Sequence, residues 1–249
     1  MKNILVIGES CKDIFVYCDA NRLAPDLPIP VLNIVRTTEN QGMARNVYSS
    51  IYNYCAHNNL DWSCVVVTNP NWKEVTKTRF VHDATNHTFL RVDANDKIPR
   101  INESMNFEQF DIIVISDYNK GFLTEKDITI ICETHPKVFL DTKKKLDTWA
   151  DKAFIIKIND HEYKTSQENF DKMLSCDNII HTMGQHGAKY KGTLYPVNKV
   201  EVKDSTGAGD AFMASLVVKY IETEDIEKSI TFANERASES VKHRGVTSI

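Results

Sequence analysis

The chain of 249 residues predicts an α/β fold, a doubly wound and mostly parallel sheet with helices on both faces, accompanied by a small β-sheet lid. Three observations predict it. Short apolar runs without polar alternation recur along the chain, as in KNILVI at residues 2–7 and DIIVIS at 111–116, the pattern of strands buried on both faces. From residue 111 onward such runs alternate with helical stretches. Glycine is scarce, nine residues where an average usage of ~7% implies roughly seventeen, and Gly8, Gly42, Gly121, Gly184, Gly187, Gly207 and Gly209 fall at strand ends or helix starts.

Each element follows in order. Lys2–Ile7 is a buried strand closed by Gly8 and Glu9, and Asp13 lies just beyond its carboxyl end, where open α/β sheets bind ligands. Residues 23–30 carry three prolines and read as a rigid extended segment leading to a strand at 31–36. Gly42 opens a helix whose apolar stripe is Ala44, Val47, Ile51, Tyr54 and Cys55. Asn46, in its first turn, points off that stripe, toward a polyhydroxylated ligand or toward solvent.

Residues 63–68 (SCVVVT) form a second buried strand, after which 69–72 turn the chain directly into two alternating segments, 75–81 and 87–92, an antiparallel hairpin. With 31–36 this hairpin builds the lid, spanning segments about 14–40 and 74–95, and Arg91 and Asp93 end it as either a surface ion pair or part of a site. Further strands are read at 111–116, 137–141, 153–158 and 177–182, with a Thr124-capped helix after the first of them and short strands within 188–202. Lys143, Lys144 and Lys145 follow the strand ending at Asp141, as a solvated turn or as a phosphate contact. The last helices run from 207 to about 220 and from 225 to about 243.

Composition bounds the function. Thirty basic against 34 acidic side chains, a formal charge of −4, provide no basic excess for nucleic acid. Six scattered cysteines without a C-x-x-C pair imply reduced thiols and no zinc site. Residues 1–8 are too short and strand-like for a signal peptide, and no apolar run reaches membrane-spanning length, so the expectation is a single cytoplasmic domain over residues 1–249 with no membrane partner.

The chemistry concentrates in Asp204–Ala214 (DSTGAGDAFMA). Glycines there let backbone N–H groups approach a ligand, the helix start favours phosphate, and Asp210 stands beside them as a proton acceptor. Phosphoryl transfer to a hydroxyl is the chemistry this suggests, although a bare G-x-G-D also describes an ordinary loop ending in a helix cap.

The longer string resembles the second signature of the ribokinase-like carbohydrate kinases, the pfkB family, and GMARNV at 42–47 resembles the first. Between them, Asn159-x-x-Glu162 is similar to the family's magnesium motif, and Thr182-Met183-Gly184-x-x-Gly187 resembles its nucleotide-contacting turn. The resemblance implies ATP and Mg²⁺ as cofactors. It gives Asp210 the role of base, with Gly207, Ala208 and Gly209 as the anion hole. Asn159 and Glu162 would hold the metal through water, although alone they read as a helix cap with an early acidic residue. Thr182, Gly184, Gly187 and Asn234 would line the nucleotide, and Asp13, Gly42, Asn46 and Asp117 the sugar.

Within the family, residues 22–31, 90–93 and 116–121 are similar to kinases of D-glycero-D-manno-heptose 7-phosphate. That likeness implies phosphorylation of an anomeric hydroxyl, with Arg91, Lys120, Lys143 and Lys144 holding the phosphate already present. A kinase for another sugar or nucleoside, or a non-catalytic sensor on the same fold, is the alternative. The chain departs from the family pattern at Glu9, where aspartate is usual, at Gln41, where glycine is usual, and in lacking a helix between residues 68 and 74. That gap leaves part of a sheet face bare or covered by a partner, and the lid resembles those that pair two subunits, which implies a homodimer.

Overall fold

The apolar runs assemble side by side into one large sheet. In the computed structural model, which describes residues 1–102, 105–243 and 245, the chain opens with β1 (Lys2–Gly8), β2 (Ser10–Leu23), β3 (Pro30–Met43) and α1 (Ala44–His57). There follow β4 (Trp62–Val67), β5 (Thr76–His82), β6 (Thr88–Ala94), β7 (Ile112–Asp117), α2 (Glu125–Thr134) and β8 (Val138–Thr142). The remainder is β9 (Ile155–Asn159), α3 (Asp160–Ser166), β10 (Ile179–Thr182), β11 (Ala188–Tyr190), β12 (Thr193–Tyr195), α4 (Ala208–Thr223) and α5 (Ile226–Ser240).

The large sheet has the order β12-β11-β10-β9-β8-β7-β1-β4, parallel from β10 to β4 and antiparallel at β11 and β12. Because successive side chains of a strand point to opposite faces, Ile4 and Val6 join the apolar cluster under α1, α4 and α5, while Leu5 and Ile7 join the cluster under α2. The doubly wound expectation is met. Thr124 caps α2 through a reciprocal capping box with Asp127, as its sequence predicts. The carboxyl ends of β7, β8, β9 and β10 therefore line up along one rim, beside the start of α4.

The smaller sheet has the order β3-β2-β5-β6 and is the lid. It is larger than its sequence suggests. The stretch after Glu9 is not a loop but the fourteen-residue β2, and the strand read at 31–36 extends over Pro30–Met43. The proline-rich residues between them form a reversal, closed by Ala24 N–H donating to the Ile29 carbonyl at 2.9 Å, rather than a straight spacer. Register pairs place Asp13, Phe15, Tyr17, Arg79, Val81, Arg91 and Asp93 on one face. Ile14, Val16, Thr78, Phe80, Leu90 and Val92 occupy the other.

Strand β4 also differs from its sequence reading. It reads as a buried strand but lies at the end of the sheet order, with Val65 43% exposed, since no helix follows it to cover that face. Described residues between β6 and β7 partly substitute: Ile98 is buried, and Ile101, Met105, Phe107 and Phe110 pack on the same cluster as Leu5 and Ile7. Removing the apolar anchor of that cover opens a cavity. Ile98→Ala is expected to lower unfolding stability by about 2–4 kcal/mol in a urea titration, whereas a passive surface loop would tolerate the change.

Candidate active site

A cavity of about 860 Å³ opens along the rim where β7 to β10 end, closed on the far side by the 197–210 segment and α5. Such strand-end crevices are where doubly wound sheets hold ligands. Its wall brings together Lys143, Asn159, Thr182, Gly184, Gly187, Gly207, Ala208, Gly209, Asp210 and Asn234 from the residues the sequence singles out.

Asp210 sits in the first turn of α4 and is only 4% exposed. Asn46 Nδ2 donates to its Oδ2 at 2.9 Å and the Tyr118 hydroxyl donates to its Oδ1 at 2.6 Å. Burial drives its pKa up to about 6, opposed by those two hydrogen bonds. Asn46 is 2% exposed and turns inward onto this carboxylate rather than standing in solvent. Gly207 caps α4 with φ 80°, a left-handed conformation that suits glycine, and no side chain caps the helix. The helix N-terminus is thereby left facing the cavity, with Ala208 N–H bonded to Ser205 O at 3.3 Å.

Behind that loop lies a charged pair that sequence reasoning missed. Lys157 Nζ donates to Asp141 Oδ2 at 2.7 Å, with both side chains under 5% exposed. A Cβ added at Gly209 would meet Lys157 Nζ at 2.9 Å, so the ammonium stands directly against the glycine loop. A lysine within the apolar run AFIIKI was the available signal, since a buried charge requires a partner. Asp141 Oδ1, also in the wall, is buried without a hydrogen-bond partner.

Asn159 and Glu162 form the capping box of α3. Glu162 Oε2 accepts Asn159 N–H at 2.7 Å, and Oε1 accepts Asn159 Nδ2 at 2.8 Å and Lys143 Nζ at 2.6 Å. The helix-cap reading thus describes their contacts. Among the described residues no group of three or more His, Cys, Asp or Glu is arranged to hold a metal ion. An ion arriving with phosphate and waters would find outer oxygen donors in the Asn159–Glu162 pair and in Asp141 Oδ1, which takes no hydrogen bond and lies 3.9 Å from Lys143 Nζ.

The other predicted residues lie outside this cavity's wall. Asp13 is 5% exposed and paired with Arg79 Nη1 at 2.6 Å, and a Cβ at Gly42 would come within 2.2 Å of its carboxylate, which is why glycine stands there. Arg79 is a second residue that the sequence did not disclose; its place between Asp13 and Arg91 depends on strand register. Asp117 is 1% exposed and accepts from Lys144 Nζ at 2.7 Å and from Thr142. Lys120 pairs with Asp96 at 2.5 Å. Arg91 forms a two-pronged pair with Asp93 at 2.6 Å, which holds the aspartate well below the usual carboxylate range. Arg79 and Arg91 also line a second cavity of about 360 Å³ between the lid and residues 202–206. The lid tip closes on that loop through Asn86 Nδ2, which donates to the Lys203 carbonyl. Among the described residues no helix is long and apolar enough to cross a membrane.

The chain resembles known proteins in both sequence and fold. It is 28% identical to the bifunctional protein HldE of Helicobacter pylori strain Shi470, over 98% of this chain and 64% of that protein. It is 26% identical to that of Bradyrhizobium diazoefficiens, over 98% and 60%. The chain thus spans less than two thirds of these relatives. Among solved structures, a ribokinase from Thermotoga maritima superposes with a TM-score of 0.68 at 16% identity, covering 99% of this chain and 95% of the other. Phosphofructokinase-2 from Escherichia coli superposes at 0.66 and 15%, covering 98% and 94%. The ribokinase-like fold is thereby established. The model of the pfkB family carbohydrate kinases matches residues 46–249. By that match, which takes in Asn46, the rim of the cavity and the Asp204–Ala214 string, the chain belongs to the pfkB family of carbohydrate kinases.

Proposed function

We propose that this chain transfers the γ-phosphoryl group of ATP to a hydroxyl of a sugar phosphate, with Asp210 as the base. The observation that carries the reading is a buried, ionisable carboxylate at an uncapped helix start on the wall of a large cavity. Asp210 accepts the hydroxyl proton as the sugar oxygen bonds to phosphorus and the bond to the β-phosphate oxygen breaks, releasing ADP. The helix start and Lys157 stabilise the charge on the transferring group. Thr182, Gly184, Gly187 and Asn234 bind the nucleotide. Asp141, Asn159 and Glu162 would hold Mg²⁺ through water, and the ion bound with the nucleotide would supply charge neutralisation for its phosphates.

The substrate reading is a heptose 7-phosphate phosphorylated at its anomeric hydroxyl, supported by the resemblance of residues 22–31, 90–93 and 116–121. Asp13 and Gly42 meet the sugar under the lid, and Arg91, Lys120 and Lys143 meet its phosphate by exchanging their present carboxylate partners for it. Asn46 and Asp117 serve the sugar side by bracing neighbouring groups. The lid's outer face, with Leu90 45% and Val92 47% exposed, suits pairing with a second copy of the chain.

Asp210→Asn is expected to keep ATP affinity within about twofold while turnover falls by ~100-fold or more, measured by calorimetry and ADP release on a panel of sugars and sugar phosphates. Retained turnover would remove Asp210 from its role, and a wild type inactive on every acceptor would favour a sensor. The ionised base also gives kcat/KM an acid limb near pH 6, activity falling as protons occupy the carboxylate below it. Leu90→Asp should shift sedimentation from dimer to monomer; an unchanged dimer would place the contact elsewhere.

A further inference from the structure

The carboxylate of Asp210 is held by two neutral donors, and one of them belongs to a residue outside the expected site. We propose that Tyr118 is a positioning residue for the base, its phenol clamping one Asp210 oxygen so that the ionised carboxylate stays aimed into the cavity. This rests on the kinase reading, and on four observations.

The Tyr118 hydroxyl lies 2.6 Å from Asp210 Oδ1, within the range of hydrogen bonds strengthened by an ionised acceptor. Asn46 takes the other oxygen, so the two bonds together fix the rotation of the carboxylate about its own axis. Tyr118 is itself fixed. Glu9, fully buried at the end of β1, accepts the backbone N–H groups of Tyr118 at 2.7 Å, Lys120 at 2.9 Å and Phe122 at 3.2 Å. The glutamate at the position where the family usually has aspartate is thereby the clasp of the turn that presents the phenol. Finally, the ring forms part of the cavity wall, with Lys143 Nζ 5.7 Å from its centroid.

The charged and titratable groups facing Asp210 come from every neighbouring strand: Cys11 on β2, Asp141 on β8, Lys143 just after it, and Lys157 on β9. Asp141 disfavours the ionised base and Lys157 favours it, leaving Tyr118 as the largest single influence opposing the effect of burial. The phenol in turn is kept protonated, its pKa driven well above the usual range by burial and by Asp210. A tyrosine held in that state donates but does not take the proton, which therefore passes from the sugar hydroxyl to the carboxylate alone.

The test is the Asp210 carboxyl carbon, followed by ¹³C NMR in the full-length chain and assigned by its absence from Asp210→Asn. Wild type should titrate near pH 6, and Tyr118→Phe should titrate about one pH unit higher, the scale of one hydrogen bond to a charged group. The acid limb of kcat/KM should move with it: about a tenfold loss below pH 6 and less than about twofold above pH 8. Site-specific 3-fluorotyrosine at position 118, a stronger donor of nearly the same size, should shift both readouts the opposite way, which a folding defect could not do. Midpoints unmoved in both variants, or a loss of rate uniform with pH, would overturn the proposal. A titration that shifts as expected in a protein that phosphorylates no acceptor would instead overturn the kinase reading and leave the coupling standing.

Discussion

One carboxylate out of water, at the start of one helix, is the constraint around which this molecule is built. Burying Asp210 disfavours its charge, and the fold answers with neutral donors from two distant places, Asn46 at the start of α1 and Tyr118 after β7. Each donor needs its own support. Asn46 stands where it does because β3 delivers the chain through Met43 at φ 60° into α1, whose apolar stripe packs under the sheet. Tyr118 stands where it does because Glu9 ties the turn to the end of β1. A pKa of about 6 leaves the group mostly ionised at neutral pH despite its burial.

The remaining charges around the cavity are arranged in partnered sets. Lys157 holds Asp141, Lys144 holds Asp117, and Lys143 is shared between Glu162 and Asp141 at 2.6 and 3.9 Å. Losing either member of the deepest pairs would strand a charge away from water, so these residues are structural before they are functional. Their placement also means that a polyanionic ligand meets lysines already held in position. Lys143, a third exposed and poised between two carboxylates, is the most easily redirected of them.

The lid shows how strand register sorts side chains onto two faces. Alternation puts Asp13, Arg79 and Arg91, together with the buried Phe15, Tyr17 and Val81, on one face and Ile14, Phe80, Leu90 and Val92 on the other, where Leu90 and Val92 are exposed. The absence of a helix after β4 does not empty the core, because Ile98, Ile101 and Phe107 lie over it. Alignment with the H. pylori relative runs over 299 positions against the 249 residues of this chain, so that relative carries segments this chain does without.

The local signals in the sequence determined the parallel strands, the capped helix at Thr124 and the string around Asp210, because burial on both faces, helix capping and glycine-rich turns each act within a few residues. They placed Thr182, Gly184, Gly187, Lys143 and Asn159 on one rim, since strand ends in such a sheet must converge. Only the tertiary structure decided that Asn46 turns inward, that β2 is a long strand, that Arg79 meets Asp13, and that Lys157 supports the glycine loop. The partners in these contacts lie up to 164 residues apart, and no local pattern encodes which of them share a face once two sheets have folded together. Tyr118 is the clearest instance. Its string was legible as a resemblance, but its grip on Asp210 exists only because Glu9 and Asp210 arrive at the same turn from opposite ends of the chain.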